Sequence, residues 1–144
     1  MDHLKVSVIG LGYVGSVTAV GIAALGHEVL GIDIDKGRVA DYRNGIVSIY
    51  EPELPDLLRA NLANQRLRIF QTEEVSEPLG DVVIIATGTP PSETGAADLS
   101  QVRGALQWVV QQQDSGVIVM KSTVPPGTGV RLSESLLQDT GFSY

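Results

Sequence analysis

The chain has 144 residues, 43% of them hydrophobic, a formal net charge of −7 and no cysteine. That length suits one domain with a sizeable core. The acidic balance without a basic patch argues against a nucleic-acid partner, and these residues can form no disulfide, thiolate metal site or cysteine nucleophile.

Residues 4–9, Leu-Lys-Val-Ser-Val-Ile, read as a strand. Three glycines follow in Gly10-Leu11-Gly12-Tyr13-Val14-Gly15. A helix is expected over 13–25, on the run Val14, Val17, Thr18, Ala19 and Ile22, with Gly26 as its stop. His27 is then expected just past the helix end, as a surface cap. Neither His27 nor the equally isolated His3 suggests catalysis or metal binding. A second strand runs over 28–33 and ends in Asp33, 18 positions after Gly15.

Strand, three-glycine turn, helix, strand and acid together form a dinucleotide-binding fingerprint. Gly10 allows a tight turn off the strand. Gly12 lets a pyrophosphate approach the backbone, and Gly15 lets the helix pack closely on the sheet. The helix points free N–H groups and its positive dipole end at the phosphates. Asp33 is expected to accept hydrogen bonds from an adenosine ribose and to disfavour a 2′-phosphate, hence NAD over NADP. Lys36 and Arg38 leave this open, since an arginine near the acid can accommodate a 2′-phosphate or be a solvated helix charge. Residues 6–26 carry no charged side chain over 21 positions, long enough to span a bilayer. Glycines at 10, 12, 15, 21 and 26 interrupt that run, and Asp2 and Lys5 provide no positive leader segment. A cytoplasmic chain is expected instead, with no membrane partner.

Asp35 can cap a short helix through Tyr42, and Asn44-Gly45 breaks the chain. A loop over 46–53 ends in Glu-Pro-Glu. Helical spacing over 54–62 places Leu54, Leu57, Leu58 and Leu62 on one face. A short strand is expected over 67–70 and a brief helix over 72–75. The apolar run 81–86 suits a strand buried on both faces. Asp98 is expected to cap a helix to Gln112, with Leu99, Val102, Leu106 and Val109 inward. A fifth strand over 116–120 and a helix over 130–137 follow. The last four residues look like entry into a truncated sixth strand, so the chain is expected to be a fragment of a longer protein. The alternation predicts an α/β, Rossmann-type doubly wound parallel sheet of order 3-2-1-4-5, one domain over 1–144.

The long irregular stretch 87–97 lies directly after strand 4, at the switch point where ligands bind. Two strand ends face that crevice, Thr87-Gly88-Thr89-Pro90-Pro91 and Lys121-Ser122-Thr123-Val124-Pro125-Pro126-Gly127-Thr128. Both offer hydroxyls and free backbone groups where a nicotinamide and its ribose would lie, though spacing alone does not separate this from turn chemistry.

With Tyr50-Glu-Pro-Glu-Leu54 and Gly95-Ala-Ala-Asp-Leu-Ser100, these motifs occur in an order that resembles the N-terminal domain of the UDP-glucose/GDP-mannose dehydrogenase family. The resemblance covers essentially the whole chain. It implies oxidation of a nucleotide sugar's C6 alcohol to a carboxylate with two NAD+ per turnover. It implies that Gly10, Leu11, Gly12, Tyr13, Val14 and Gly15 hold the pyrophosphate, and Asp33 and Arg38 the adenosine end. Thr87, Gly88, Thr89, Pro90 and Ser122 would flank the nicotinamide side. Thr123 resembles the family's active-site threonine, which helps hold a catalytic water, and Lys121 would be structural. No metal is implied. Glu53 stands where the family commonly has glycine. The family's cysteine, which forms a thiohemiacetal and then a thioester, is expected beyond Tyr144. The fragment alone is therefore expected to be inactive, and its parent to take a nucleotide sugar and form a homo-oligomer. Another NAD-dependent hydroxy-acid dehydrogenase and a free-standing NAD sensor are the competing readings. The residues do not say which sugar is oxidised.

Overall fold

All neighbouring strands pair in parallel in the computed structural model, which describes residues 2–144. The strands are β1 (Lys5–Ile9), β2 (Glu28–Asp33), β3 (Leu67–Gln71), β4 (Val82–Ile85), β5 (Ser115–Met120) and β6 (Gly141–Ser143). Their order is β3-β2-β1-β4-β5-β6, the predicted order with the short sixth strand added at the edge. Between them run α1 (Tyr13–Ala24), α2 (Lys36–Arg43), α3 (Leu54–Ala63), α4 (Ser100–Gln112) and α5 (Thr128–Leu132).

Parallel strands need crossovers, and the crossovers cover both sheet faces. Val6 and Val8 of β1 face one core with Ala19 and Val20 of α1, Val39 of α2 and Leu58 of α3. Ile9, Ile32 and Ile85 face the other, with Val102, Leu106 and Val109 of α4 and Leu132 of α5. β1 and β4 are neighbours whose following helices leave to opposite faces, α1 to the first core and α4 to the second. Their carboxyl ends therefore open a crevice. Residues 6–26 divide between β1 and α1, and no helix among the described residues is long and apolar enough to cross a membrane.

Several local expectations are corrected. Leu57 is 38% exposed while Asn61 is buried, because the covered stripe of α3 follows 54, 58 and 61 and leaves Leu57 at its edge. Leu99 is half-buried at the N-cap of α4, and Ala105 takes its place in the core. Asp98 lies one residue before that cap, where its carboxylate accepts the Ser100 N–H at 2.9 Å. The last helix starts at Thr128 after Gly127 and widens into a π turn over Ser133–Leu137. His27 caps no helix; its Nδ1 accepts the Leu4 N–H at 3.1 Å, with the His3 ring edge-on to it. The stretch after β4 carries no helix or strand, as expected, and a single antiparallel bridge between Pro91 and Ala97 closes it on itself. Glu53 has right-handed helical backbone (φ −93°, ψ −13°), so the local turn requires no glycine.

Candidate cofactor site

The site begins with the turn off β1. Gly10 has φ +98°, and its N–H donates to the Ile32 carbonyl at 2.8 Å. A side chain there would also press on the Ala86 carbonyl at the end of β4. Gly15 lies directly beneath, where a Cβ would overlap the Gly10 carbonyl oxygen. Both glycines are therefore demanded by the protein's own packing.

Gly12 differs from both. Its φ is −69°, which any residue adopts, and a Cβ added to it meets nothing within 4 Å. The room its side chain would fill belongs to the crevice. Gly12 is also the N-cap of α1, and no side chain caps that helix. The first backbone bond is Ser16 N–H to the Gly12 carbonyl at 2.9 Å. The N–H groups of Tyr13, Val14 and Gly15 find no partner among the described residues. An uncapped helix N-terminus with free donors and a positive dipole end suits an anion.

Asp33 ends β2 and is 5% exposed. Its Oδ2 accepts the Leu11 N–H at 2.7 Å and Arg38 Nη1 at 3.1 Å, and its Oδ1 accepts the Asp35 N–H at 2.8 Å. The carboxylate thus ties the glycine turn, the end of β2 and the start of α2 together. A carboxylate offers about four acceptor sites, so about one stays free for a ligand hydroxyl. Asp35 caps α2 as expected, accepting the Arg38 N–H at 2.9 Å.

Tyr13 projects from the first turn of α1, and its hydroxyl donates to Glu51 Oε2 at 2.8 Å. That acceptor and its negative charge raise the phenol above its ordinary value. The bond fastens the loop before α3 to the head of α1.

The ends of β4 and β5 are knitted together. Ser122 Oγ donates to the Thr87 carbonyl at 2.8 Å, and Thr89 Oγ1 donates to the Thr123 carbonyl at 2.8 Å. Thr123 is exposed, and its hydroxyl makes no hydrogen bond to the described residues. Lys121 is likewise exposed and in no ion pair among them.

These parts surround a crevice of about 1130 Å³. Gly10, Gly12, Tyr13 and Val14 line it from the turn, Asp33 from the end of β2, Arg38 from α2, Thr87 to Pro90 from the end of β4, and Ser122 and Thr123 from the end of β5. Leu11 and Gly15 do not; Leu11 is 1% exposed with its N–H on Asp33, and Gly15 lies under the turn. Sequence reasoning missed Ile34, Thr72, Gln101, Gly104 and Trp108 as lining residues, while Lys121 lines the crevice as part of the strand-end segment expected there. For α4 a signal existed, a second stripe at 101, 104 and 108 beside the apolar one. Among the described residues no group of three or more His, Cys, Asp or Glu could hold a metal ion.

A doubly wound parallel sheet with an open helix N-terminus at its switch point defines a Rossmann-type dinucleotide-binding domain. Residues 4–143 match the sequence model described as UDP-glucose/GDP-mannose dehydrogenase family, NAD binding domain, and the chain belongs to that family. UDP-glucose 6-dehydrogenase TuaD of Bacillus subtilis is 42% identical over 135 residues, 93% of this chain and 29% of TuaD. A UDP-glucose 6-dehydrogenase of Pseudomonas aeruginosa is 45% identical over 134 residues, 91% of this chain and 29% of that protein. Among solved structures, a UDP-glucose dehydrogenase from Pyrobaculum islandicum superposes with a TM-score of 0.86 at 39% identity, over 99% of this chain and 35% of its own. A GDP-mannose dehydrogenase ternary complex from Pseudomonas aeruginosa gives 0.86 at 30% identity, over 96% and 34%. The chain therefore spans about a third of the length of the relatives it matches.

Proposed function

We propose that this chain is the NAD+-holding domain of a nucleotide-sugar 6-dehydrogenase, with UDP-glucose as the sugar nucleotide. In that reaction UDP-glucose, two NAD+ and water give UDP-glucuronate, two NADH and three protons. The observation that carries the cofactor reading is the empty space over Gly12 beside the uncapped head of α1. Pyrophosphate oxygens accept from the free N–H groups there. Asp33 and Arg38 hold the adenosine ribose, with the remaining lone pair of Asp33 Oδ1 as acceptor. The linked β4 and β5 ends flank the nicotinamide side, and the unpartnered Thr123 hydroxyl orients a water.

NAD, when bound, supplies the hydride acceptor; the chain's own residues position it. The 144 residues hold no cysteine, so a thioester route needs one from outside them. UDP-glucose is favoured over UDP-N-acetylmannosamine by identities of 42% and 45% to UDP-glucose 6-dehydrogenases against 32% to a UDP-N-acetyl-D-mannosamine dehydrogenase. We place the parent in the cytoplasm as a homo-oligomer serving polysaccharide synthesis. Calorimetric titration with NAD+ and NADP+ tests the reading. Tighter NAD+ binding is expected. Equal or tighter NADP+ binding overturns the role given to Asp33, and binding of neither overturns the cofactor reading.

A further inference from the structure

The sheet has two open edges, and they differ. β6 is three residues long, a short template for any added strand. β3 has five residues, Leu67-Arg68-Ile69-Phe70-Gln71, with a single charge among them. A strand edge of that composition invites another strand to pair with it. Pairing with β2 uses alternate residues of β3. The Arg66 carbonyl accepts the Val29 N–H at 2.7 Å, which sets the backbone groups of Arg66, Arg68 and Phe70 toward β2. Leu67, Ile69 and Gln71 therefore turn theirs outward.

Two of those outward groups are already taken by side chains. Arg43, the last residue of α2, donates from Nε to the Ile69 carbonyl at 2.8 Å. Glu74 Oε1 accepts the Gln71 N–H at 2.8 Å. The two side chains also bind each other, Arg43 Nη2 donating to Glu74 Oε1 at 2.9 Å. The Arg43 guanidinium carbon lies 6.0 Å from the centre of the Phe70 ring. α2 packs on the first core and Phe70 on the second, so Arg43 reaches across the open edge from one face to the other. The Gln71 N–H, and after it Arg43, hold the Glu74 carboxyl below the usual carboxylate range, so it binds as the anion. Capping of the 3-10 turn Thr72–Glu74 accounts for the Glu74 bond, but not for that of Arg43 to the strand.

We propose that Arg43 and Glu74 hold the β3 edge shut against the same edge of a second copy of this chain. That edge is self-complementary. Two copies related by a two-fold axis at Ile69 would pair antiparallel, with Ile69 opposite Ile69 and Leu67 opposite Gln71. Arg68 of each copy would stand opposite Phe70 of the other, so no like charges would meet. Each hydrogen-bonded pair in such a ladder exchanges two N–H···O bonds. The Ile69 pair needs the Ile69 carbonyl, which Arg43 occupies. The outer pairs need the Gln71 N–H, which Glu74 occupies. The two side chains thus interrupt every hydrogen-bonded pair of that ladder and leave the pairing of β3 with β2 intact. Assembly of the parent then uses other surfaces.

The full chain is measured by size-exclusion chromatography with light scattering over a range of concentrations, with amide hydrogen exchange at Ile69 as a second readout. The unmodified chain is expected to keep the mass of one chain at concentrations where Arg43→Ala/Glu74→Ala moves toward the mass of two. The Ile69 amide is directed outward in the single chain, and is expected to exchange about tenfold or more slowly in that dimer. Gln71→Pro removes the outer donor. Gln71 has φ −76°, which proline adopts, and its N–H binds Glu74 instead of the sheet. Added to the double variant, Gln71→Pro is expected to restore the mass of one chain. Arg43→Ala alone, expected to shift the mass less far, decides the matter if the double variant loses its helix content in circular dichroism. A folded variant without Arg43 that keeps the mass of one chain overturns the proposal, as does association that Gln71→Pro leaves intact. An unmodified chain that already dimerises with the Ile69 amide protected overturns it equally.

Discussion

The buried carboxylate of Asp33 accepts the backbone N–H of Leu11 at 2.7 Å, across 22 residues of sequence. The acid proposed to hold a ribose is thus also an anchor of the glycine turn. Both partners are almost fully covered, Asp33 at 5% and Leu11 at 1%. Removing the acceptor leaves a buried donor unpaired, which costs about 1–3 kcal/mol.

Asp33→Ala is therefore expected to lower stability by about that amount, and to weaken NAD+ and narrow its advantage over NADP+. Urea denaturation without cofactor reads the first effect, and calorimetry reads the second. Unchanged stability would mean that the Leu11 contact contributes nothing net.

Gly12 and Gly15 are expected to separate binding from folding. Gly12→Val adds a side chain whose Cβ meets no protein atom within 4 Å, so the fold should survive while the pyrophosphate loses its approach. Gly15→Ala drives a methyl group into the Gly10 carbonyl and should destabilise the turn itself. Circular dichroism with NAD+ titration distinguishes them. Retained NAD+ affinity in folded Gly12→Val would place the phosphates elsewhere.

Much of this arrangement is legible locally. The second strand ends at Asp33 as read, and Asp35 caps the following helix as read, because strand patterns, glycine turns and capping acids act over a few residues. The local errors have a common cause. Leu57 and Leu99 fulfil a helical spacing rule, but burial depends on how far the neighbouring layer reaches. What could not be read are pairings made by the fold. The Tyr13–Glu51 bond spans 38 residues and the Leu4–His27 bond 23, and no periodicity encodes either. The α4 wall lay between these cases. Its stripe was visible, but only the sheet beneath shows that it faces the crevice.

The Tyr13–Glu51 bond predicts an alkaline effect. Hydrogen bonding to Glu51, and then its charge, raise the Tyr13 phenol from 10.0. A group whose value is raised on folding adds stability that is whole below its unfolded value and fades as pH rises through the folded one. The tie should therefore hold at neutral pH and loosen above about pH 10. Ultraviolet titration should show Tyr13 ionising later than an ordinary tyrosine, assigned by difference from Tyr13→Phe. In Glu51→Gln that late step should move back toward 10.0. An unmoved step would show that Glu51 is not the cause.

Thr123 gives the test of chemistry. These 144 residues contain no cysteine, so UDP-glucose and NAD+ should yield no NADH with this chain alone. In a longer protein that carries these residues and the cysteine, turnover is expected. There Thr123→Ala should slow turnover on the order of ten- to a hundredfold, the scale on which a misplaced reacting group is felt. The effect on NAD+ affinity should be smaller. The reason is geometric: Thr89 holds the backbone carbonyl of Thr123 at 2.8 Å, so the loop keeps its place, while the Thr123 hydroxyl has no partner among the described residues and is free to hold water. Thr89→Val removes that restraint without touching the Thr123 hydroxyl, and should give a milder loss of turnover. NADH accumulation followed spectrophotometrically, with NAD+ affinity measured separately, reads both variants. An unchanged rate in Thr123→Ala, or turnover by the 144 residues alone, would contradict the proposed role.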